Sequence, residues 1–335
     1  MKAFTFVRPT TVAEAAQALA VKGSVIKAGG TDLLDRMKER IDEPERVVSL
    51  ADVKELGVNG AIKGPGNEQL VLGASSTLAL LAASDEVRKL APALAEAAGL
   101  AASPQIRQRA TLGGNLLQHT RCGYYRHASF PCWKRGDDAC PVLTDGAVQD
   151  TAAIFGNRPC ASAHPSSLAP VLAALDATIH ATAAGGGTID MNIVALFGAY
   201  YLGMTKGTRM ETLLPEGGVL TSVTVPSVAG RRAAYEEVRQ KTAFDWALAS
   251  ACVRVDMDGA RVREASVFLG SVAPVPWNAA ASEKALVGQP LTDETIRAAA
   301  DAAVAGAKPL PGNAYKVELV KVVVRRALER LRAMK

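Results

Sequence analysis

Thr111-Leu112-Gly113-Gly114-Asn115-Leu116 opens a window that runs to Cys160 and holds four of the five cysteines of the chain. After the glycine turn come Gln118-His119-Thr120-Arg121-Cys122, then Phe130-Pro131-Cys132-Trp133-Lys134-Arg135, then Cys140-Pro141 and Arg158-Pro159-Cys160. Glycines let backbone N–H groups approach an anion with no Cβ in the way, and a neighbouring threonine adds a hydroxyl. Such a turn directly before a cysteine cluster points to two redox groups held side by side.

A turn of the same type lies upstream, in Ala28-Gly29-Gly30-Thr31-Asp32-Leu33-Leu34. Thr11-Val12-Ala13-Glu14 has the spacing of a capping box and predicts a helix over 11–22. Strands are expected at 24–28 and 46–50, with an amphipathic stretch to Arg40 between them, which makes a small βαβ-like unit. The motif is not the dinucleotide fingerprint G-x-G-x-x-G, and no phosphate-loop lysine follows it. Taken singly, each turn is equally a tight strand–helix connection. Two of them about 80 residues apart suit a dinucleotide, one phosphate to each turn.

The intervening chain reads as a strand at 70–74 after Gly64-Pro65-Gly66, helices at 75–82 and 85–101, and a helix at 168–175. Strands follow at 177–182 and 188–193 around Gly185-Gly186-Gly187, then at 220–225. Proline, glycine and charge interrupt the pattern at 226–232. Beyond it, strands at 247–256 and 262–269 join through Met257-Asp258-Gly259. Alanine-rich helices are expected at 279–287, 292–305 and 314–333, so the last third is an α+β unit packed on the first part. Cys252 falls in an apolar strand and reads as a small buried hydrophobe.

A chain of 335 residues carries a sizeable core. The net charge of +5 is spread over scattered Lys and Arg, which argues against a nucleic-acid surface. No apolar run nears the roughly 20 residues needed to cross a bilayer. Met1-Lys2-Ala3-Phe4-Thr5-Phe6 lacks a signal-peptide core. The expected location is the cytoplasm, or the periplasm if the chain is exported folded with a signal-bearing partner.

The cysteines follow C-x9-C-x7-C-x19-C, from Cys122 through Cys132 and Cys140 to Cys160. A disulfide framework needs an oxidising compartment. Structural zinc favours short C-x(2–4)-C knuckles, which are absent. An iron–sulfur cluster takes four thiolates from a wrapping loop. Pro131, Pro141 and Pro159 stiffen that loop. Spacing alone leaves cluster, zinc and no metal open. His119, His127 and His164 read as loop or packing residues before they read as ligands. Arg121, Arg126, Lys134 and Arg135 would offset cluster charge, or form a solvated face.

The two glycine motifs resemble the FAD-binding turns of the flavin-carrying medium subunits of molybdenum hydroxylases, the xanthine dehydrogenase and carbon monoxide dehydrogenase group. Phe268-Leu269-Gly270-Ser271-Val272-Ala273-Pro274-Val275-Pro276-Trp277, Asn313-Ala314-Tyr315-Lys316 and Val324-Arg325-Arg326-Ala327-Leu328 extend the likeness over nearly the whole chain. The cysteine-bearing segment, about 119–162, is an insertion relative to most such subunits. It is similar to the [4Fe–4S] loop in the flavin subunits of bacterial periplasmic aldehyde oxidoreductase and of 4-hydroxybenzoyl-CoA reductase.

The resemblance implies an α+β fold, with a two-part FAD-binding domain of the vanillyl-alcohol-oxidase type over 1–226. That domain divides into a βαβ part at about 1–55 and a larger part at about 56–226. A C-terminal domain with an antiparallel sheet and a helical layer follows over 227–335. FAD would be held by Ala28, Gly29, Gly30, Thr31, Asp32, Leu33 and Leu34 and by Thr111, Gly113, Gly114 and Asn115, through amides and hydroxyls. Ser103, Gln105, Arg107, Ser167 and Lys241 would lie near the flavin. Ser167 stands where relatives often carry Asp, and Arg239-Gln240-Lys241 stands where Arg-x-Arg is common. Cys122, Cys132, Cys140 and Cys160 would hold a [4Fe–4S] cluster. No side-chain acid or base is expected, because such cofactors carry the chemistry. The implied partners are a large molybdenum-cofactor chain, a small [2Fe–2S] chain and an external electron acceptor. The implied reaction is aldehyde oxidation by a heterotrimer. A hydroxybenzoyl-CoA-reductase type and a zinc-stapled scaffold are the alternatives.

Overall fold

The computed structural model describes residues 1–57, 59–64, 67–198, 211–228, 230–242 and 244–334, with backbone alone for 61–64, 67 and 68. The first sheet is parallel, in the order β1 (Thr5–Val7), β3 (Arg46–Ser49), β2 (Ser24–Lys27). Its central strand carries Val47 and Val48, both buried, on opposite faces. Val48 packs on Ala15, Ala16 and Leu19 of the helix Val12–Leu19. Val47 packs on Leu33 and Met37 of the helix Leu33–Lys38. The expected capping box starts the first helix: the Glu14 amide donates to the Thr11 hydroxyl, and the Glu14 carboxylate accepts from the Thr11 amide. The βαβ unit thus forms as the periodicity predicts.

The second sheet is antiparallel, in the order β4 (Asn59–Gly64), β5 (Asn67–Gly73), β8 (Val219–Pro226), β6 (Thr178–Thr182), β7 (Thr188–Asn192). The expected turn at Gly64-Pro65-Gly66 lies outside the described residues at Pro65 and Gly66. The segment expected as one helix over 85–101 is two helices, Asp85–Leu90 and Pro92–Leu100. Pro92 has no N–H to continue the ladder, and it pushes Ala91 out of helical geometry, to φ −143 and ψ 62. Strands β1 and β4 carry no clean alternation and were not expected. The same holds for β9 below.

The third sheet runs β12 (Trp277–Asn278), β11 (Arg261–Gly270), β10 (Ala249–Asp258), β9 (Arg231–Val238), all antiparallel. Both faces of β10 are covered. Ala251, Val253 and Val255 pack against the C-terminal helices, whose longest member is Tyr315–Ala333. Cys252 packs with Tyr235 and Phe268 in the core that also holds the helix Leu168–Ala174. Cys252 is therefore the buried small hydrophobe expected of it. Arg254, on the same face, is buried and answered by Asp176 at 2.6 Å and Glu264 at 2.6 Å.

The cysteine-bearing loop has little regular structure and is fastened to this last layer. Ile154 and Phe155 both donate amides to Val272 O, and Phe155 stacks on Trp277. Lys316 Nζ reaches Thr151 O and Ser271 O, each at 3.0 Å. Asn313, fully buried, donates through Nδ2 to Ala152 O and Ala153 O. Asn313→Ala would strip donors from two buried carbonyls. Urea unfolding is expected to show a loss of about 1–3 kcal/mol, and an unchanged midpoint would contradict this clamp.

Candidate functional site

The first glycine turn leaves β2 and enters the helix Leu33–Lys38. Among the described residues, the amides of Gly29, Gly30, Thr31, Asp32 and Leu33 have no protein acceptor. A Cβ on Gly29 would fall 1.8 Å from Arg109 O, so the backbone before the second turn presses directly on this one. Gly30 sits at φ +83, a conformation that glycine adopts without strain. The result is a run of open donors held rigidly against Arg109.

The second turn differs. Its amides are already engaged inside the protein: Leu112 with Ser76 O, Gly113 with Ala74 O, Gly114 with Thr111 Oγ1 and Asn115 with Thr111 O. Its contribution is a close-packed wall. A Cβ on Gly113 would lie 3.2 Å from the carbonyl oxygen and Cβ of Ala74. Asn115 Oδ1 accepts from Ser166 Oγ at 2.6 Å and from the Leu168 amide, tying the turn to residues 166–168. The two turns are therefore not equivalent phosphate clips.

Both turns face one cleft of about 740 Å³, whose lining includes Ala28, Gly29, Gly30, Thr31, Asp32, Leu33, Thr111, Gly113 and Gly114. Leu34 is turned away, packing with Leu33 and Met37. Glu216, Gly217 and Gly218 complete the cleft and were not foreseen. Their signal in the sequence was a further Gly-Gly pair before a strand. The cleft shares Thr31, Asp32, Gly114 and Gln118 with a second pocket of about 230 Å³. Asn115 and Ser167 line that pocket.

Ser103, Gln105, Arg107 and Lys241 line neither cavity. Ser103 spends its hydroxyl capping the helix Pro104–Arg107, by accepting from the Ile106 amide. Gln105 is exposed, and Arg107 folds back on Ala101 O and Ala102 O. Ile106, Ala101 and Ala102 face the pocket instead. Lys241 is exposed, while Glu237, Asp245 and Trp246 enter the lining from the same stretch. Ala243, within it, lies outside the described residues.

The four cysteines are free thiols brought together. Cys140 and Cys160 share an apolar cluster with Trp133, Val142 and Leu310, and Cys122 packs on it. Cys140 donates to Cys160, and Cys132 and Cys122 are close enough to feel the charge of Cys160. Amides of Tyr124 and Tyr125 point at Cys122, those of Lys134 and Arg135 at Cys132, those of Val142 and Ala161 at Cys140, and that of Ser162 at Cys160. Three of the cysteines stand immediately before a single helical turn, at Gly123–Arg126, Trp133–Arg135 and Pro141–Leu143. Burial pushes the Cys122 and Cys132 thiols up, and Cys140 is held protonated by its hydrogen bond to Cys160 and by burial, while Cys140, Lys134 and Ser162 bring Cys160 down to about 6. The N–H donors at each sulfur are what a thiolate ligand would use. Among the described residues, no three His, Cys, Asp or Glu side chains are drawn together tightly enough to hold a metal ion.

The histidines belong to the packing. His119 Nδ1 pairs with Tyr125 Oη at 2.8 Å, and His127 lies against Phe130. His164 lies against Phe197 with neither ring nitrogen hydrogen-bonded, and burial brings its pKa down to about 4.

The basic residues of the loop are neither a solvated face nor free counter-charges. Lys134 pairs with Glu211 at 2.5 Å, both buried. Arg135 donates to the carbonyls of Tyr124, His127 and Phe130. Arg121 and Arg126 converge on Asp32, at 3.0 Å and 2.7 Å, with Arg36 at 3.2 Å and the His119 amide also donating. Asp32 therefore joins the first glycine turn to the cysteine loop. A third cavity of about 620 Å³ borders Cys122, and its lining shares Arg121, Asp245 and Trp246 with the smaller pocket. Arg121 lies over the Trp246 ring at 4.9 Å.

Open amides on one glycine turn, a second turn closing the far wall, and a trough that continues into a smaller pocket make a cleft suited to a dinucleotide. Comparison narrows this. The family described as FAD binding domain in molybdopterin dehydrogenase matches residues 2–228, and the CO dehydrogenase flavoprotein C-terminal domain matches 233–331. The chain belongs to this family of FAD-binding oxidoreductase subunits. It is 33% identical to the aldehyde oxidoreductase FAD-binding subunit PaoB of Escherichia coli, covering 99% of each chain. It is 31% identical to the carbon monoxide dehydrogenase medium chain of Hydrogenophaga pseudoflava, covering 97% of this chain and 96% of the other. Among solved structures, the carbon monoxide dehydrogenase of Hydrogenophaga pseudoflava lacking the Mo-pyranopterin moiety superposes with a TM-score of 0.73 at 30% identity, covering 97% and 96% of the two chains. The quinoline 2-oxidoreductase of Pseudomonas putida 86 shares the fold, with a TM-score of 0.74 over 99% of each chain at 24% identity. No described helix is long and apolar enough to cross a membrane.

Two outcomes test this geometry. Gly29→Ala forces a Cβ into the Arg109 carbonyl and is expected to abolish FAD retention, read from the flavin absorbance of the purified protein. For Asp32, burial works against ionisation, but Arg121, Arg126 and Arg36 outweigh it and hold the carboxyl below its ordinary range. The stability it supplies is complete above the unfolded pKa of about 3.9. It is lost as pH falls through the lower folded value. Asp32→Asn is expected to cost about 1–3 kcal/mol at pH 7 and less at pH 3 in urea unfolding. Equal losses at both would contradict the charge network.

Proposed function

We propose that this chain is the FAD- and [4Fe–4S]-carrying electron-transfer subunit of a heterotrimeric molybdenum-dependent aldehyde oxidoreductase. In this reading residues 1–226 form the FAD-binding part and 227–335 the C-terminal part. A large molybdenum-cofactor chain oxidises the aldehyde to the carboxylic acid. Its electrons reach this subunit through a small [2Fe–2S] chain, pass via FAD, and leave to an external acceptor. The likeness to an aldehyde oxidoreductase FAD-binding subunit favours this over a reductase of the hydroxybenzoyl-CoA type.

The observation that carries the reading is that Cys122, Cys140 and Cys160 share one apolar cluster, with Cys132 near enough to feel the charge of Cys160 and amides directed at each sulfur. A single zinc ion draws thiolates to about 2.3 Å from itself. A four-iron cluster is a larger body that holds its thiolates further apart, at its corners. The wide spacing of the four cysteines, with no short C-x(2–4)-C knuckle, favours the cluster over the zinc-stapled scaffold. FAD is supported by the open amides at Gly29 to Leu33 and by the trough they face. This chain's own task is to bind, orient and shield those groups. Its compartment is the cytoplasm, or the periplasm when it travels folded with a signal-bearing partner.

Flavin, iron and zinc analysis of the complex purified with its partner chains tests the reading. The expected spectrum is a flavin peak over a broad brown shoulder that dithionite bleaches. Cys132→Ser should lose about four irons per complex while keeping most of its FAD. A colourless protein with stoichiometric zinc would sink the proposal.

A further inference from the structure

Lys134 differs from the other basic residues of the cysteine loop. Arg121 and Arg126 are taken up by Asp32 and Asp35, and Arg135 by backbone carbonyls. Lys134 stands two residues after Cys132, in the turn Trp133–Arg135, and is near enough to Cys132 and Cys160 to feel the charge of both. Its Nζ meets Glu211 Oε2 at 2.5 Å, with the two side chains only 4% and 10% exposed. Glu211 Oε1 accepts from the Thr120 amide at 3.3 Å, and Thr120 Oγ1 accepts from the Cys122 amide at 3.2 Å. Glu211 is therefore tied to the loop both at 120–122 and at 134, and the lysine head is fixed in place. Replacing a buried ion pair by well-packed apolar side chains is often neutral or stabilising, so packing alone does not account for a lysine at this point.

We propose that Lys134, oriented by Glu211, is the residue of this chain that raises the reduction potential of a cluster held by Cys122, Cys132, Cys140 and Cys160. The proposal rests on the reading above that these thiolates carry a [4Fe–4S] group. Four thiolates give such a group a net negative charge, and each electron it takes up adds to that charge. A fixed cation in a low-dielectric surrounding stabilises the reduced form more than the oxidised one. Glu211 is a positioning residue that holds the cation and partly offsets it. The two residues therefore act on the potential with opposite signs.

The test is an EPR-monitored redox titration of the purified complex, with iron and flavin content read on the same samples. Lys134→Met keeps an unbranched side chain and removes the charge, and the cluster potential should shift negative. Glu211→Gln is isosteric, still accepts from Lys134 and Thr120, and should shift the potential positive. A merely structural pair would move neither, or both the same way. An unmoved or more positive potential in Lys134→Met overturns the proposal, as does an unmoved or more negative one in Glu211→Gln. If Lys134→Met loses its iron, Glu211→Gln decides alone. Loss of iron from both variants makes the pair a prop for the loop and overturns the proposal. Absence of the [4Fe–4S] signal from the unaltered complex overturns the reading beneath it and the proposal together, whereas a normal signal with unmoved potentials overturns the proposal alone.

Discussion

Three guanidinium groups, from Arg36, Arg121 and Arg126, meet on the carboxylate of Asp32, and the placing of the first glycine turn against the cysteine loop follows from that meeting. Asp32 ends the glycine turn that offers open amides to the dinucleotide cleft. Arg121 and Arg126 flank Cys122, so any shift of the turn is felt at the cysteine loop. The groups are largely buried, where charge pairs are screened little and a lost partner is costly. Asp35 adds a second contact to the same two arginines, which makes the joint a network. The loop is thus held by charge on its cleft side and by Asn313 and Lys316 on its C-terminal side.

Between those two fastenings the loop needs little regular structure of its own. Its single helical turns aim amides at sulfur, and its arginine at 135 gathers the carbonyls that a helix or sheet would otherwise satisfy. The third cavity, bordering Cys122 and sharing Arg121 and Trp246 with the smaller pocket, places the cysteine loop beside the pocket that adjoins the cleft.

The division of labour between the two glycine turns follows from where their amides go. Gly113 and Gly114 look like a phosphate loop in the sequence, yet their N–H groups are consumed by Ala74 O and Thr111 Oγ1. Gly29 and Gly30 look the same and keep open amides, while Gly29 lets the Arg109 carbonyl press where a side chain would stand and Gly30 holds a positive φ. The motif records which positions need glycine. It does not record whether the need is for ligand approach or for packing.

Much was legible from local pattern alone. The capping box at Thr11, the hairpin at Gly259 and the buried Cys252 of an apolar strand each rest on near-neighbour chemistry, and each appears as read. The lining of the smaller pocket was not legible in this way. Ser103 and Arg107 satisfy their own helix, Lys241 points to solvent, and Glu237, 122 positions from Asn115 in the chain, supplies the pocket wall. By itself the sequence determined where turns, strands and thiols would fall, because those depend on φ, period and spacing within a few residues. Only the tertiary structure decided which amides stay open, which acid lines the pocket and which arginines answer Asp32, because a polar group's role is set by the partners that distant segments bring to it.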